Sequence, residues 1–178
     1  MKRRTPRRRS YGGGADRALD LWVALARCAA SVSRVSARDI QRYGLTQAQF
    51  AVLEVLYHKG PLALCTIGEK LLVTSGNITF VADQLERAGW LRRTRSREDG
   101  RVVVACLTKR GEALMARHFP SHAVTMEAAA RPLTAREQAS LTRLLKKWGK
   151  ATAEGSEGRR GRRGRQERGD GGKKREAR

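Results

Sequence analysis

Apolar residues recur along most of this chain at intervals of three and four, the spacing of one face of an α-helix. The first such stretch puts Leu21, Leu25, Cys28, Val32 and Val35 on one stripe within residues 15–42, and Gly44 follows as a stop. LTQAQF then combines a Thr46/Gln49 capping box with a Leu45/Phe50 staple, which predicts a second helix from Gln47 to about His58. A short helix is predicted over Leu64–Leu71. After a turn holding VTS, another is predicted over Gly76–Ala88, with Ile78, Val81, Ala82 and Leu85 on one face and Gly89 as its stop. There the period changes. WLRRTRS and RVVVACL flank a loop containing REDG and predict a β-hairpin. LTKRGEALMARHF opens a further helix, in which Pro120 is expected to kink the pattern rather than end it. A Thr134/Glu137 capping box starts the last helix, whose stripe is Leu141, Leu144, Leu145 and Trp148. The predicted order is α-α-α-α-β-β-α-α, a mainly α fold with one small β-hairpin.

The same pattern marks what has nothing to bury. Residues 1–14 form a basic, glycine-ended arm, and the chain from 152 to 178 reads as a disordered basic tail around a folded domain of residues 15–151. Charge sharpens this picture. The 178 residues carry 38 Lys+Arg against 17 Asp+Glu, a formal +21, and a basic excess remains between the two flanks. Such a balance favours polyanions, nucleic acid above all, through counterion release, and says nothing of sequence specificity. No stretch approaches the ~18 apolar residues of a membrane span, and the N-terminus lacks the apolar run of a signal peptide. A cytoplasmic, nucleoid-associated protein without membrane partners is expected. Cys28, Cys65 and Cys106 lie far apart without metal-ligand spacing, so they read as thiols.

The chemistry gathers in the middle of the chain. Two short helices joined by a tight turn and followed by a hairpin make a winged helix-turn-helix pattern, over about residues 46–108. The second of these helices begins TSGNITF. Gly76 permits close backbone approach, and exposed N–H groups at a helix N-terminus suit a DNA phosphate. Ser or Thr can cap this helix, Asn77 and Thr79 can hydrogen-bond base edges or phosphates, and Phe80 can press on a thymine methyl. An ordinary amphipathic surface helix would look the same on its own. The hairpin weighs against that reading, because Arg92, Arg93, Arg95, Arg97 and Arg101 all lie on it. A narrow minor groove concentrates negative potential and attracts arginine. Asp99 would face phosphate as a DNA contact, so it reads as an ion-pair partner that orders the wing. No Ser/His/Asp or Cys/His arrangement, phosphate-cradling glycine loop or carboxylate cluster suggests an enzyme, and no cofactor is implied.

VTSGNITFVADQLERAGWLRR followed by DGRVVVACLTKRG resembles the multiple antibiotic resistance regulator (MarR) family of bacterial transcription factors. Asp99, Arg101, Leu107, Thr108 and Gly111 match the family's D-x-R wing and L-T-x-x-G element, and the likeness extends over about residues 18–150. The resemblance implies a homodimer joined through helices at about 15–42 and 109–150, with two winged lobes reading an inverted repeat in double-stranded DNA. It implies major-groove roles for Ser75, Asn77, Thr79 and Phe80, a minor-groove role for Arg101 and a wing-ordering role for Asp99. Gly100 departs from the arginine or glutamate often found there, which is expected to loosen the wing tip.

Members of the family commonly respond to small phenolic compounds or to thiol oxidation, so a repressor with such an effector is expected. Cys28, on the apolar stripe with core packing as the alternative, and Cys65, in the first turn of a short helix, are the candidate redox sensors. Cys106 reads as structural. His118 and His122 are four apart but lack a third ligand, and read as a surface or interface pair rather than a zinc site. The resemblance also implies a ligand pocket between the first, second and fifth helices, where Trp22, Tyr43 and Tyr57 either line it or pack in the core. The competing function is a non-specific nucleoid- or RNA-associated basic protein driven by its flanks.

Overall fold

The computed structural model describes the backbone of residues 9–170 and the side chains of residues 9–153. In chain order the elements are α1 (Gly13–Gln41), α2 (Gln47–Lys59), β1 (Leu62–Ala63), α3 (Leu64–Leu71), α4 (Ser75–Arg87), β2 (Leu91–Arg95), β3 (Val103–Leu107), α5 (Lys109–Ala130) and α6 (Ala135–Asp170). Local chemistry sets most of these boundaries. Thr46 Oγ1 accepts from the Gln49 backbone N–H while the Gln49 side chain accepts from the Thr46 N–H, so the capping box forms. Its staple partners Leu45 and Phe50 are both buried. Thr74 caps α4 in the same manner, accepting from the Asn77 N–H.

Three features depart from the sequence expectation. Residues 62–63 add a short strand, because Leu62 and Ala63 pair antiparallel with Ala105 and Val104. The sheet is therefore three-stranded in the order β1-β3-β2, and two residues are too few to show a period. Gly13 and Gly14, placed in the arm by sequence, already belong to α1, whose start is tied by Ser10 and the Tyr11 N–H donating to Asp16. Finally, α6 runs on to Asp170 through the stretch expected to be a disordered tail. Extending an existing helix adds a hydrogen bond for each residue fixed and needs no new nucleus, so polar composition alone does not stop it. The ends of the basic flanks, 1–8 and 171–178, lie outside the described residues.

The chain divides into two compact units at Ala129/Ala130. In the first, Phe50, Leu53, Ile67, Leu85, Leu91 and Met115 form the centre of the core, so α2, α3, α4, β2 and α5 share one interior. Ile78, Val81, Ala82 and Leu85 are all buried, which fixes the rotation of α4 and turns its opposite face outward. A polar hinge joins sheet and α5: Thr108 donates its hydroxyl to the Gly89 carbonyl (2.7 Å) and its N–H to the Trp90 carbonyl, and accepts from the Gly111 N–H. A Cβ at Gly111 would overlap the Trp90 carbonyl oxygen, so only glycine lets α5 start this close to the sheet.

A buried polar cluster links the end of α1 to α5. Asp39 Oδ2 accepts from Tyr43 Oη (2.7 Å) and contacts His122 Nδ1 (2.8 Å), while His118 stacks on the Tyr43 ring. His122 also lies against Phe50, with ring centroids 4.6 Å apart. The surface or interface pair expected of these histidines is thus corrected: His122 is an interior residue with an acidic partner, and His118 an aromatic packing residue. Burial works to raise the Asp39 pKa, but hydrogen bonds from Tyr43 and His122, with the His122 charge, hold it below the usual carboxylate value. The same burial, together with the bond to Asp39, raises the Tyr43 hydroxyl.

Much of α1 faces outward. Leu19, Leu21, Trp22 and Val23 are exposed, Trp22 at 58 %, and Cys28 is exposed with them. The core-packing alternative for Cys28 is therefore removed within the protomer. In the second unit, Leu141, Leu144, Leu145 and Trp148 form an exposed apolar stripe on α6. None of the helices in the described residues is long and apolar enough to cross a membrane.

Candidate nucleic-acid interface

The outward face of α4 presents Ser75, Gly76, Asn77, Thr79 and Phe80, all exposed. Nothing lies within 4 Å of a Cβ built on Gly76, so the first turn is open to a close neighbour. Thr79 Oγ1 donates to the Ser75 carbonyl (2.9 Å), which leaves the Thr79 hydroxyl oxygen able to accept. Phe80 is 60 % exposed. The five residues chosen from the sequence thus share one accessible surface.

Beside this helix, β2 and β3 pair from Leu91↔Leu107 to Arg95↔Val103 and carry the wing. Arg93 turns toward α4. Its guanidinium donates through Nε (2.8 Å) and Nη2 (2.6 Å) to Glu86 Oε2, its backbone N–H donates to Glu86 Oε1, and Nη1 meets Asp83 at 2.6 Å. The bonds from Arg93 hold Glu86 below its ordinary pKa, and Glu86 in turn raises that of Arg93. Arg93, counted from sequence among the hairpin arginines that would meet DNA, is thus engaged within the fold by two carboxylates of α4. Sequence reasoning missed Asp83 and Glu86, although their spacing of three on one helix was a usable sign.

The wing tip is ordered by hydrogen bonds rather than by charge pairing. Asp99 Oδ1 accepts from the Arg101 backbone N–H (2.9 Å), Val102 N–H donates to the Asp99 carbonyl, and Ser96 N–H donates to the Val102 carbonyl (2.8 Å). Ser96 Oγ accepts from the N–H groups of Glu98 and Asp99. The expectation that Asp99 shapes this turn fits the arrangement, but through a backbone amide and not through an arginine side chain. Arg95 reaches the Gly100 carbonyl at 3.4 Å, and Arg97 and Arg101 are exposed. Gly100 has open space around its Cβ position and is not among the positive-φ glycines, so the wing does not depend on a glycine there.

Cys65 is exposed in the first turn of α3, and Cys106 is half-buried with its thiol donating to the Arg92 carbonyl (3.7 Å). A cleft of about 590 Å³ opens between the end of α2, β3 and the start of α5, with Tyr57, Cys106, Lys109 and Glu112 in its walls. Of the three aromatics proposed from sequence, Tyr57 lines this cleft, whereas Tyr43 packs around Asp39 and Trp22 is on the α1 surface. Among the described residues no three His, Cys, Asp or Glu side chains are placed to hold a metal.

A helix-turn-helix whose second helix shows a polar face beside an arginine-bearing hairpin defines a winged helix-turn-helix DNA-binding protein. The MarR family pattern matches residues 45–103. YkoM, an HTH-type transcriptional regulator of Bacillus subtilis (strain 168), is 43 % identical over 134 residues, 75 % of this chain and 87 % of YkoM. A mutant of MarR from E. coli, solved with operator DNA, superposes with a TM-score of 0.67 at 26 % identity, over 74 % of this chain and 95 % of that one. The PcaV transcriptional regulator of Streptomyces coelicolor, solved with its natural ligand, gives 0.55 at 30 % identity, over 61 % of this chain and 77 % of PcaV. The chain belongs to the MarR family and is a DNA-binding transcription regulator, not an enzyme.

Proposed function

We propose that the protein is a cytoplasmic repressor that binds an inverted-repeat operator as a homodimer and releases it on meeting a small phenolic or oxidising effector. The carrying observation is the Arg93 clamp, which joins the exposed face of α4 to the base of the arginine-bearing wing. A helix set in a major groove would bring that wing to the neighbouring minor groove. Ser75, Asn77 and Thr79 take base and phosphate contacts, Gly76 lets the backbone approach, and Arg101 enters the minor groove, with Arg95 and Arg97 near phosphates. The exposed apolar residues of α1 and α6 supply surfaces that a second copy would cover. PcaV, solved with a natural ligand, supports an effector-binding regulator, and the Tyr57 cleft offers room for one. Cys28 and Cys65 are exposed thiols within reach of an oxidant.

The formal charge of +21 favours the competing reading of a non-specific nucleoid- or RNA-associated protein. Selecting bound fragments from genomic DNA, with and without the basic flanks, decides between them. A specific regulator holds its selected site about 10³-fold or more tighter than random DNA, with half-sites ~10 bp apart. Loss of all DNA binding on removing the flanks would reject it.

A further inference from the structure

Leu72 is the one non-glycine residue with positive φ among the described residues, at φ 54° and ψ 38°. It caps α3 in the left-handed conformation, with its N–H donating to the Glu69 carbonyl and the Val73 N–H returning to Gly68. In that conformation a Cβ crowds the backbone, which is why glycine or asparagine usually takes the position. Leucine has no polar group to bond locally, and here it has no core to enter: Leu72 is 91 % exposed, more than any other large apolar residue described. Folding therefore gives no reason for this side chain. Strain at an exposed site points to something outside the chain.

Its surroundings narrow the class of partner. Leu72 stands three residues before Ser75, where α4 begins, and Phe80 is the large apolar side chain that α4 leaves exposed. Between them in sequence lie the polar Ser75, Asn77 and Thr79, and the wing that follows α4 carries Arg95, Arg97 and Arg101. A basic, polar rim of this kind suits a polyanion far better than an apolar protein surface. Within a major groove the apolar feature on offer is the C5-methyl group of thymine. We propose that Leu72 and Phe80 together read pyrimidine C5-methyl groups in the operator half-site, Leu72 near the helix entrance and Phe80 one turn further along α4. The proposal rests on the reading that α4 enters the major groove.

The test uses the full-length protein and its selected operator, with each thymine of a half-site replaced singly by deoxyuridine, which lacks only the methyl. Wild-type protein is expected to lose about fourfold in affinity at each contacted position, the transfer value of one methyl-sized group. Leu72→Asn, which tolerates the left-handed cap, should abolish the loss at one position, and Phe80→Ser at another. Leu72→Gly should melt above wild type while losing the same discrimination, which separates reading from folding. A protein that prefers its operator but changes less than twofold at every deoxyuridine overturns the proposal. So does a Leu72→Asn variant with undiminished deoxyuridine sensitivity. Absence of any preference for a selected site would instead defeat the operator reading itself.

Discussion

Single residues in the wing set its shape and are proposed to make its contacts. Arg101 is exposed, and its backbone is pinned by Asp99 through one 2.9 Å hydrogen bond. Arg101→Ala is expected to weaken operator binding by about 1–3 kcal/mol and to relax preference for an A·T-rich flank. Titration against flanks of A·T and G·C tests both, and equal affinity of mutant and wild type on the A·T flank would reject the role. Asp99→Ala should move affinity in the same direction, whereas Asp99→Asn keeps an acceptor and should stay near wild type. At Gly100 an alanine should leave stability within about 0.5 kcal/mol, since its Cβ meets nothing. The sequence made Arg101 and Asp99 legible because their spacing matches a known wing. It could not show that the carboxylate grips an amide, since ion pair and Asx turn leave the same residues two apart.

Between elements, a few polar cross-links join the apolar core in holding the first unit together. Arg93→Ala should cost about 1–2 kcal/mol in denaturant unfolding, because it strands two carboxylates that α4 holds in place. If Arg93 instead touched phosphate, the mutation would leave stability unchanged and lower the salt slope by about one ion. A second link is Asp39–His122, which fastens the end of α1 to α5. Because Asp39 is held below the ordinary carboxylate pKa in the folded protein, its contribution is fully present above the ordinary carboxylate range and fades as the pH falls through the folded value. Asp39→Asn should flatten that part of the stability curve. The helices themselves are read well from periodicity and caps, since Thr46, Thr74 and the buried face of α4 obey local rules. The cross-links are not: Asp39 and His122 lie 83 positions apart on helices whose patterns neither breaks, and Arg93 reads as one more charge on the hairpin until the strand brings it to α4. Strand β1 escaped for a related reason: two residues pair only because β3 arrives more than 40 positions later.

For the whole molecule, the apolar face of α1 makes assembly the first quantity to measure. Leu21→Glu with Trp22→Glu should turn a dimer into monomers by light scattering and lower operator affinity, while leaving the core of the first unit folded. A double variant that remains dimeric would place the interface elsewhere. Shortening the basic flanks should reduce the salt dependence of binding more than its site preference. The Arg93 clamp has a consequence at this scale as well. With α4 and the wing fastened together, a protomer that binds DNA as proposed would act as a gauge with fixed jaws, measuring an interval along the duplex as well as reading its letters. One base pair inserted between the major-groove contact and the A·T flank turns the two by about a tenth of a helical repeat, and a rigid gauge has no slack to follow. Such an insertion should cost more affinity in the native protein than in Arg93→Ala, where the jaws are free to move.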